Sequence, residues 1–148
     1  ICSLHWGPNM RVQPTPTFRA FARHVIDAGA DVLFGHSAHV VQGIEIYRRR
    51  PILYDTGDVV DDYALDAELR NDLSALFLLR VGPSGIERLD LLPVHIGYGQ
   101  VNRATGANRA WIARRITALC AAFGTEIRDD GEYLSVPRPK VGSVPANS

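Results

Sequence analysis

Apolar residues fall along this chain in short blocks of two alternating periods. Ile1-Cys2-Ser3-Leu4-His5 alternates like a half-buried strand and reads as one already under way, which implies chain upstream of it. A turn-rich stretch, Gly7 to Pro14, separates it from a helix opened by Thr15-Pro16. Thr15 can cap free backbone N–H groups, and proline fits the first helical position. Phe18, Phe21, Ala22 and Val25 are spaced to share one helical face, and Gly29 supplies the stop. Asp31 to Gly35 follows as a strand whose continuous run Val32-Leu33-Phe34 suits burial on both faces. Strand, helix and strand in that order predict a βαβ unit with parallel strands.

Two shorter strands, Ile44 to Tyr47 and Ile52 to Tyr54, are predicted to form a hairpin around Arg48-Arg49-Arg50-Pro51. The loop from Asp55 to Asn71 is acidic and irregular. Leu73 to Val81 and Ile86 to Ile96 read as a longer hairpin about the turn Gly82-Pro83-Ser84-Gly85. A helix from about Ala107 to Phe123 would bury Ile112, Ile116, Leu119, Cys120 and Phe123, with Gly124 ending it. Glu126 to Ser135 has room for one small edge strand. Residues 1–135 are thus expected to form the folded part, and the proline-bearing tail from Val136 to Ser148 to be flexible.

Composition narrows the possible functions. The chain has 148 residues, with 16 basic and 16 acidic side chains and 46% hydrophobic residues, which fits a globular α/β chain and excludes disorder throughout. The zero formal charge argues against nucleic acid as a main partner. No apolar run approaches the ~20 residues that span a bilayer. Cys2 and Cys120 are too few for a disulfide framework and are not spaced as a zinc motif.

The βαβ reading brings histidines together. His5 ends the first strand and His36 follows the second, so both lie on the sheet edge where open α/β sheets bind ligands. His39 lies three residues further on, in Gly35-His36-Ser37-Ala38-His39, where Gly35 gives the backbone room. Three imidazoles could hold one metal ion, share two with carboxylates, or satisfy loop hydrogen bonds. The loop from Tyr54 to Tyr63 adds Asp55, Asp58, Asp61 and Asp62, which suit cations or a solvated turn, and Gly57 permits a tight backbone approach. Trp6 either shields the site, stacks on a substrate or packs. His24 is expected on the surface, His95 is expected to pack or face water, and Arg48 to Arg50 form a short basic turn.

The ordered motifs His5-Trp6-Gly7, Ile26-Asp27-Ala28-Gly29-Ala30-Asp31, Gly35-His36-Ser37-Ala38-His39-Val40 and Pro51-Ile52-Leu53-Tyr54-Asp55-Thr56-Gly57-Asp58-Val59-Val60-Asp61-Asp62-Tyr63 resemble the CapA family. These bacterial proteins are named for poly-γ-glutamate capsule synthesis and are similar to calcineurin-like metallophosphoesterases. The resemblance runs from about Ile1 to Gly124. It implies the C-terminal half of a layered αββα sandwich with two divalent ions, Mn, Zn or Fe. His5 and His36 would hold one ion and His39 the other. Asp58, where many relatives have asparagine, would be a catalytic ligand, a hydrogen-bond acceptor or neither. Trp6, Ser37 and Gly57 would contact substrate.

The activity implied is metal-assisted hydrolysis of a phosphoester type. The alternative is a non-catalytic component that binds an anionic capsule polymer or a capsule synthase complex, in the cytoplasm or at the cell envelope. An Asp on an earlier strand and an Asn-His segment, which complete such sites, are not among these residues.

Overall fold

The computed structural model describes residues 1–60, 65–83 and 85–137. The first strand, β1 (Cys2–His5), runs into α1 (Pro16–Asp27) and then β2 (Leu33–His36). Thr15 caps α1, its hydroxyl accepting from the Phe18 N–H at 3.3 Å, and Gly29 leaves the helix at φ +110°. β1 and β2 pair in parallel, Cys2 opposite Leu33 through His5 opposite His36. The second strand therefore begins and ends later than Asp31 to Gly35, and His36 is its last residue.

β3 (Ile44–Tyr47) and β4 (Arg50–Leu53) form the expected antiparallel hairpin. Its turn is tighter than the sequence suggested. Arg48 and Arg49 both adopt positive φ, 48° and 65°, and Arg50 and Pro51 already belong to the strand. A two-residue turn of this hand matches the strand twist. Arg48 pairs with Asp27 at 3.0 Å and Arg50 with Asp31 at 3.4 Å, and Arg50 also donates to the Ile26 carbonyl at 3.3 Å. The basic turn thus answers the negative end of α1. The four strands lie in the order β1-β2-β4-β3.

The second sheet is built on β5 (Leu73–Gly82) and β6 (Gly85–Gly97), paired throughout. β7 (Gln100–Arg103) and β9 (Leu134–Val136) both pair with β6, and β8 (Arg128–Asp129) pairs with β9. Where one edge strand was expected there are thus two. Val136, assigned to the tail by its sequence, is instead buried opposite Leu89. Its apolar side chain completes the core, and a polar tail residue there would not. Residues 138–148 lie outside the described residues.

The helix α2 (Gly106–Ala121) buries Ile112, Ile116 and Cys120, while Leu119 and Phe123 are half-buried. One core joins residues of both sheets to α2, and a second lies between the first sheet and α1. In α1 the buried residues are Ala22 and Ile26, and Phe21 is 48% exposed. The Phe21 ring lies at the margin, 6.0 Å from Trp6, so the buried stripe is rotated towards Ile26. The described residues form a mixed α/β fold of two sheets and two helices, consistent with the metallophosphoesterase type. Among the described residues no helix is long and apolar enough to cross a membrane.

Candidate metal centre

Parallel register determines the first half of the site. Alternation along β1 puts Ser3 and His5 on one face, and Phe34 and His36 take the same face of β2. The His5 and His36 rings stand 5.4 Å apart at 64°. The Ser3 hydroxyl lies 3.4 Å from His36 Nε2, and Phe34 flanks the ring at 5.6 Å. His5 is exposed and His36 half-buried, so the pair is open to ligands.

The loop beyond β2 is held by its neighbours in an unusual backbone conformation. Ser37 and His39 adopt φ of 131° and 62°, a region that non-glycine residues rarely occupy and that clusters at functional sites. Gly35 precedes them because nothing larger fits: a Cβ there would lie 2.0 Å from the Tyr54 carbonyl oxygen and 2.5 Å from Trp6 Nε1. Those two atoms are joined by a 2.9 Å hydrogen bond that passes over the glycine. Asp55 then ties two loops together. Its carboxylate accepts from the Ala38 N–H at 2.7 Å and from the Gly57 N–H at 2.9 Å. Burial pushes the Asp55 carboxyl above its ordinary range, and the two N–H groups partly oppose that shift. Asp55 therefore braces the loop and is not part of a solvated acidic turn.

The second half of the site is a His–Asp pair. His39 Nδ1 lies 2.9 Å from Asp58 Oδ1, with the two side chains 33% and 13% exposed. Asn71 Nδ2 approaches the other Asp58 oxygen at 3.5 Å. A carboxylate on Nδ1 selects the tautomer whose proton sits there and leaves Nε2 as the basic nitrogen, the arrangement seen behind metal-bound histidines. Of the roles open to Asp58, the structure displays that of hydrogen-bond acceptor.

The described side chains thus form two pairs, His5–His36 and His39–Asp58. Among the described residues no group of three or more His, Cys, Asp or Glu side chains is gathered as for one ion. The donor set fits a metal in kind: imidazoles suit Zn and related ions, and His39 has one ring nitrogen anchored by a carboxylate. It is short in number, since four donors complete a tetrahedral ion.

The other candidates are distributed as follows. Trp6 is half-buried, its N–H spent on Tyr54 and its ring 4.8 Å from Phe18 and 6.4 Å from Tyr54. Ser37 carries backbone strain beside His36. Gly57 has φ +69°, and a Cβ there would meet Val41 at 2.9 Å. His24 is exposed, and His95 is half-buried with Nε2 3.6 Å from Asp72. Asp61 and Asp62 lie outside the described residues. Sequence reasoning overlooked the bracing role of Asp55. The Asp-x-Gly spacing, by which an aspartate accepts from the N–H two residues on, was the available signal.

Residues 1–63 match the family model described as bacterial capsule synthesis protein PGA_cap. A Mycobacterium tuberculosis protein named "Probable polyglutamine synthesis accessory protein" is 37% identical over 97% of this chain and 40% of its own length. The capsule biosynthesis protein CapA of Bacillus anthracis is 33% identical over 72% of this chain and 25% of its own length. The PGA biosynthesis protein CapA of Bacillus subtilis is 35% identical over 65% of this chain and 24% of its own length. The chain thus spans about two fifths, or less, of these relatives. The matched segment 1–63 contains both histidine-bearing strand ends and the His39–Asp58 pair.

Proposed function

The chain belongs to the bacterial capsule synthesis family that includes CapA, and we propose that it carries part of a two-metal hydrolase centre acting in poly-γ-glutamate synthesis. The observation that carries this reading is the pairing itself. His5 and His36 stand in register on neighbouring parallel strands, and His39 is oriented by Asp58 on the strained loop that follows. Two pairs suit two ions better than one.

In this reading His5 and His36 bind one ion and His39 binds the other through Nε2, while Asp58 holds the proton on Nδ1. Divalent cations such as Mn, Zn or Fe would supply oxyanion polarisation and hydroxide at neutral pH. The described pairs supply fewer donors than two ions would take, so further donors would be needed to complete both coordination shells. Trp6 packs on the α1 side of Gly35, against Phe18 and Tyr54, and supports the strand end that carries His36. An anionic polymer or phosphoester is the substrate class, and a capsule synthase complex is the partner, in keeping with the accessory role in the name of the Mycobacterium tuberculosis relative.

The test is metal content and hydrolysis by the intact protein, with a generic phosphoester and a γ-glutamyl oligomer as substrates. His36→Ala is expected to lose one ion and to lower the metal-dependent rate by more than about 100-fold. Asp58→Ala is expected to weaken metal binding by about 10–100-fold with every imidazole still present. Full metal and full rate in His36→Ala would end the hydrolase reading. Lost metal in that variant, with no hydrolysis by the parent protein, would replace it with the binding and assembly role.

A further inference from the structure

A second site lies behind the histidine loop, on α2. Arg114 and Arg115 are adjacent in the helix, but Arg114 is exposed whereas Arg115 turns into a cleft. The cleft is lined by Val40, Leu69, Leu73, Trp111 and Ile116, all apolar, and by a second guanidinium, Arg70. Arg70 is already paired, donating two 2.7 Å hydrogen bonds to Asp72. Arg115 is not: its Nη2 is buried and has no hydrogen-bond partner among the described residues. Its guanidinium sits 5.0 Å from the centre of the Trp111 ring, a contact that orients the charge without neutralising it. Burial correspondingly pulls the Arg115 guanidinium below its ordinary value.

Arg115 is half-buried, but covering its Nη2 with no hydrogen bond or counter-charge among the described residues is costly, and packing alone would favour an apolar atom at that spot. The planar fork of a guanidinium instead matches a carboxylate held by two parallel hydrogen bonds. Val40 directly follows His39, so one wall of this cleft and the proposed metal ligand lie on the same stretch of backbone. From these observations we infer that Arg115, backed by Trp111, is a carboxylate-binding subsite that holds a γ-glutamyl repeat of the anionic polymer away from the metal centre. This rests on the polymer reading above for its ligand but not on the metals.

The experiment titrates a γ-linked glutamate oligomer, and separately inorganic phosphate, into the intact protein stripped of metal with EDTA. The Arg115 side-chain Nε–H is followed by nitrogen-15 NMR and binding by calorimetry. The oligomer is expected to bind and to shift the Arg115 signal. Arg115→Leu is expected to lose about tenfold or more in affinity, and Arg115→Lys, which keeps charge but not the fork, to fall between. If Arg115→Leu does not fold, the Arg115 signal in the parent protein still decides.

An unshifted signal, or Arg115→Leu binding as tightly as the parent, overturns the subsite. Phosphate binding without oligomer binding overturns the carboxylate assignment. Because metal is absent throughout, failure of the metal centre shows in the metal content of the untreated protein and leaves this result standing.

Discussion

Two polar clusters lie on either side of Gly35 and behave in opposite ways. On the α1 side, Glu45 is only 4% exposed, yet both its oxygens are engaged. Tyr54 donates to one at 2.5 Å, and Arg23 donates to the other from Nε at 2.8 Å and from Nη2 at 2.6 Å. Burial, more than the Glu45 hydrogen bond, pushes the Tyr54 hydroxyl far above its ordinary value, so it stays a donor at any physiological pH. On the strand-end side, the His5 and His36 rings stand side by side with His5 exposed, and His39 is anchored on Asp58 through Nδ1. The closed network spends its hydrogen-bonding capacity on the fold. The open one presents an exposed imidazole, His5, beside His36. Substitutions should therefore cost stability in the first and metal binding in the second.

Gly35 is where the two regions meet, and its substitution should have the largest effect. Gly35→Ala forces a Cβ against the Tyr54 carbonyl and the Trp6 ring and should cost at least about 3 kcal/mol, read by denaturant unfolding. A cost under ~1 kcal/mol would mean that the two clusters are not mechanically joined.

Next is the closed network itself. Glu45→Ala leaves the Tyr54 hydroxyl buried without an acceptor. Arg23 is 43% exposed and can turn to water, so the expected loss is about 2–3 kcal/mol and not the full cost of a broken buried pair. Tyr54→Phe, which removes only the donor, should cost about 1 kcal/mol. Metal content should be unchanged in Tyr54→Phe if the comparison holds.

A smaller effect tests a second closed pair through pH. The Arg70 guanidinium beside Asp72 holds that carboxyl below its ordinary value of 3.8. A lowered carboxylate stabilises the fold above the unfolded value and loses that contribution as pH falls through the folded one. Asp72→Asn should therefore be less stable than the parent protein at pH 7, by up to about 1 kcal/mol given partial solvent screening. The gap should narrow in urea unfolding as pH falls below the ordinary carboxyl value of 3.8. A gap that widened in acid would reverse the sign of the linkage.

The smallest expected change is in a matched pair, one histidine on the surface of α1 and one in the open region. His24→Ala, on an exposed face of α1, should alter stability by no more than about 0.5 kcal/mol and leave metal content unchanged. His36→Ala should match it closely in stability and differ from it in metal content. Thermal unfolding of the pair beside their metal analysis checks this, and a large stability loss in His36→Ala alone would make that histidine part of the closed network.

Much of this arrangement was legible in the residues. The apolar run Val32-Leu33-Phe34, with Thr15 and Gly29 bounding a helix before it, establishes two parallel strands, and parallel strands place His5 and His36 at one edge. Local chemistry suffices for that, because strand period, helix caps and glycine stops act over a few residues. The tertiary structure decided the rest. Glu45 occupies an apparently outward position between Ile44 and Ile46, but α1 covers that face and supplies Arg23, and β4 leads into Tyr54. Asp58 finds His39 from 19 residues away only because Asp55 clamps both loops. Val136 joins the core by pairing with β6, and Arg115 turns inward because α2 lies over Val40 and Leu73. In each case the deciding interaction joins segments distant in sequence, and its strength depends on burial, which no local pattern of residues specifies.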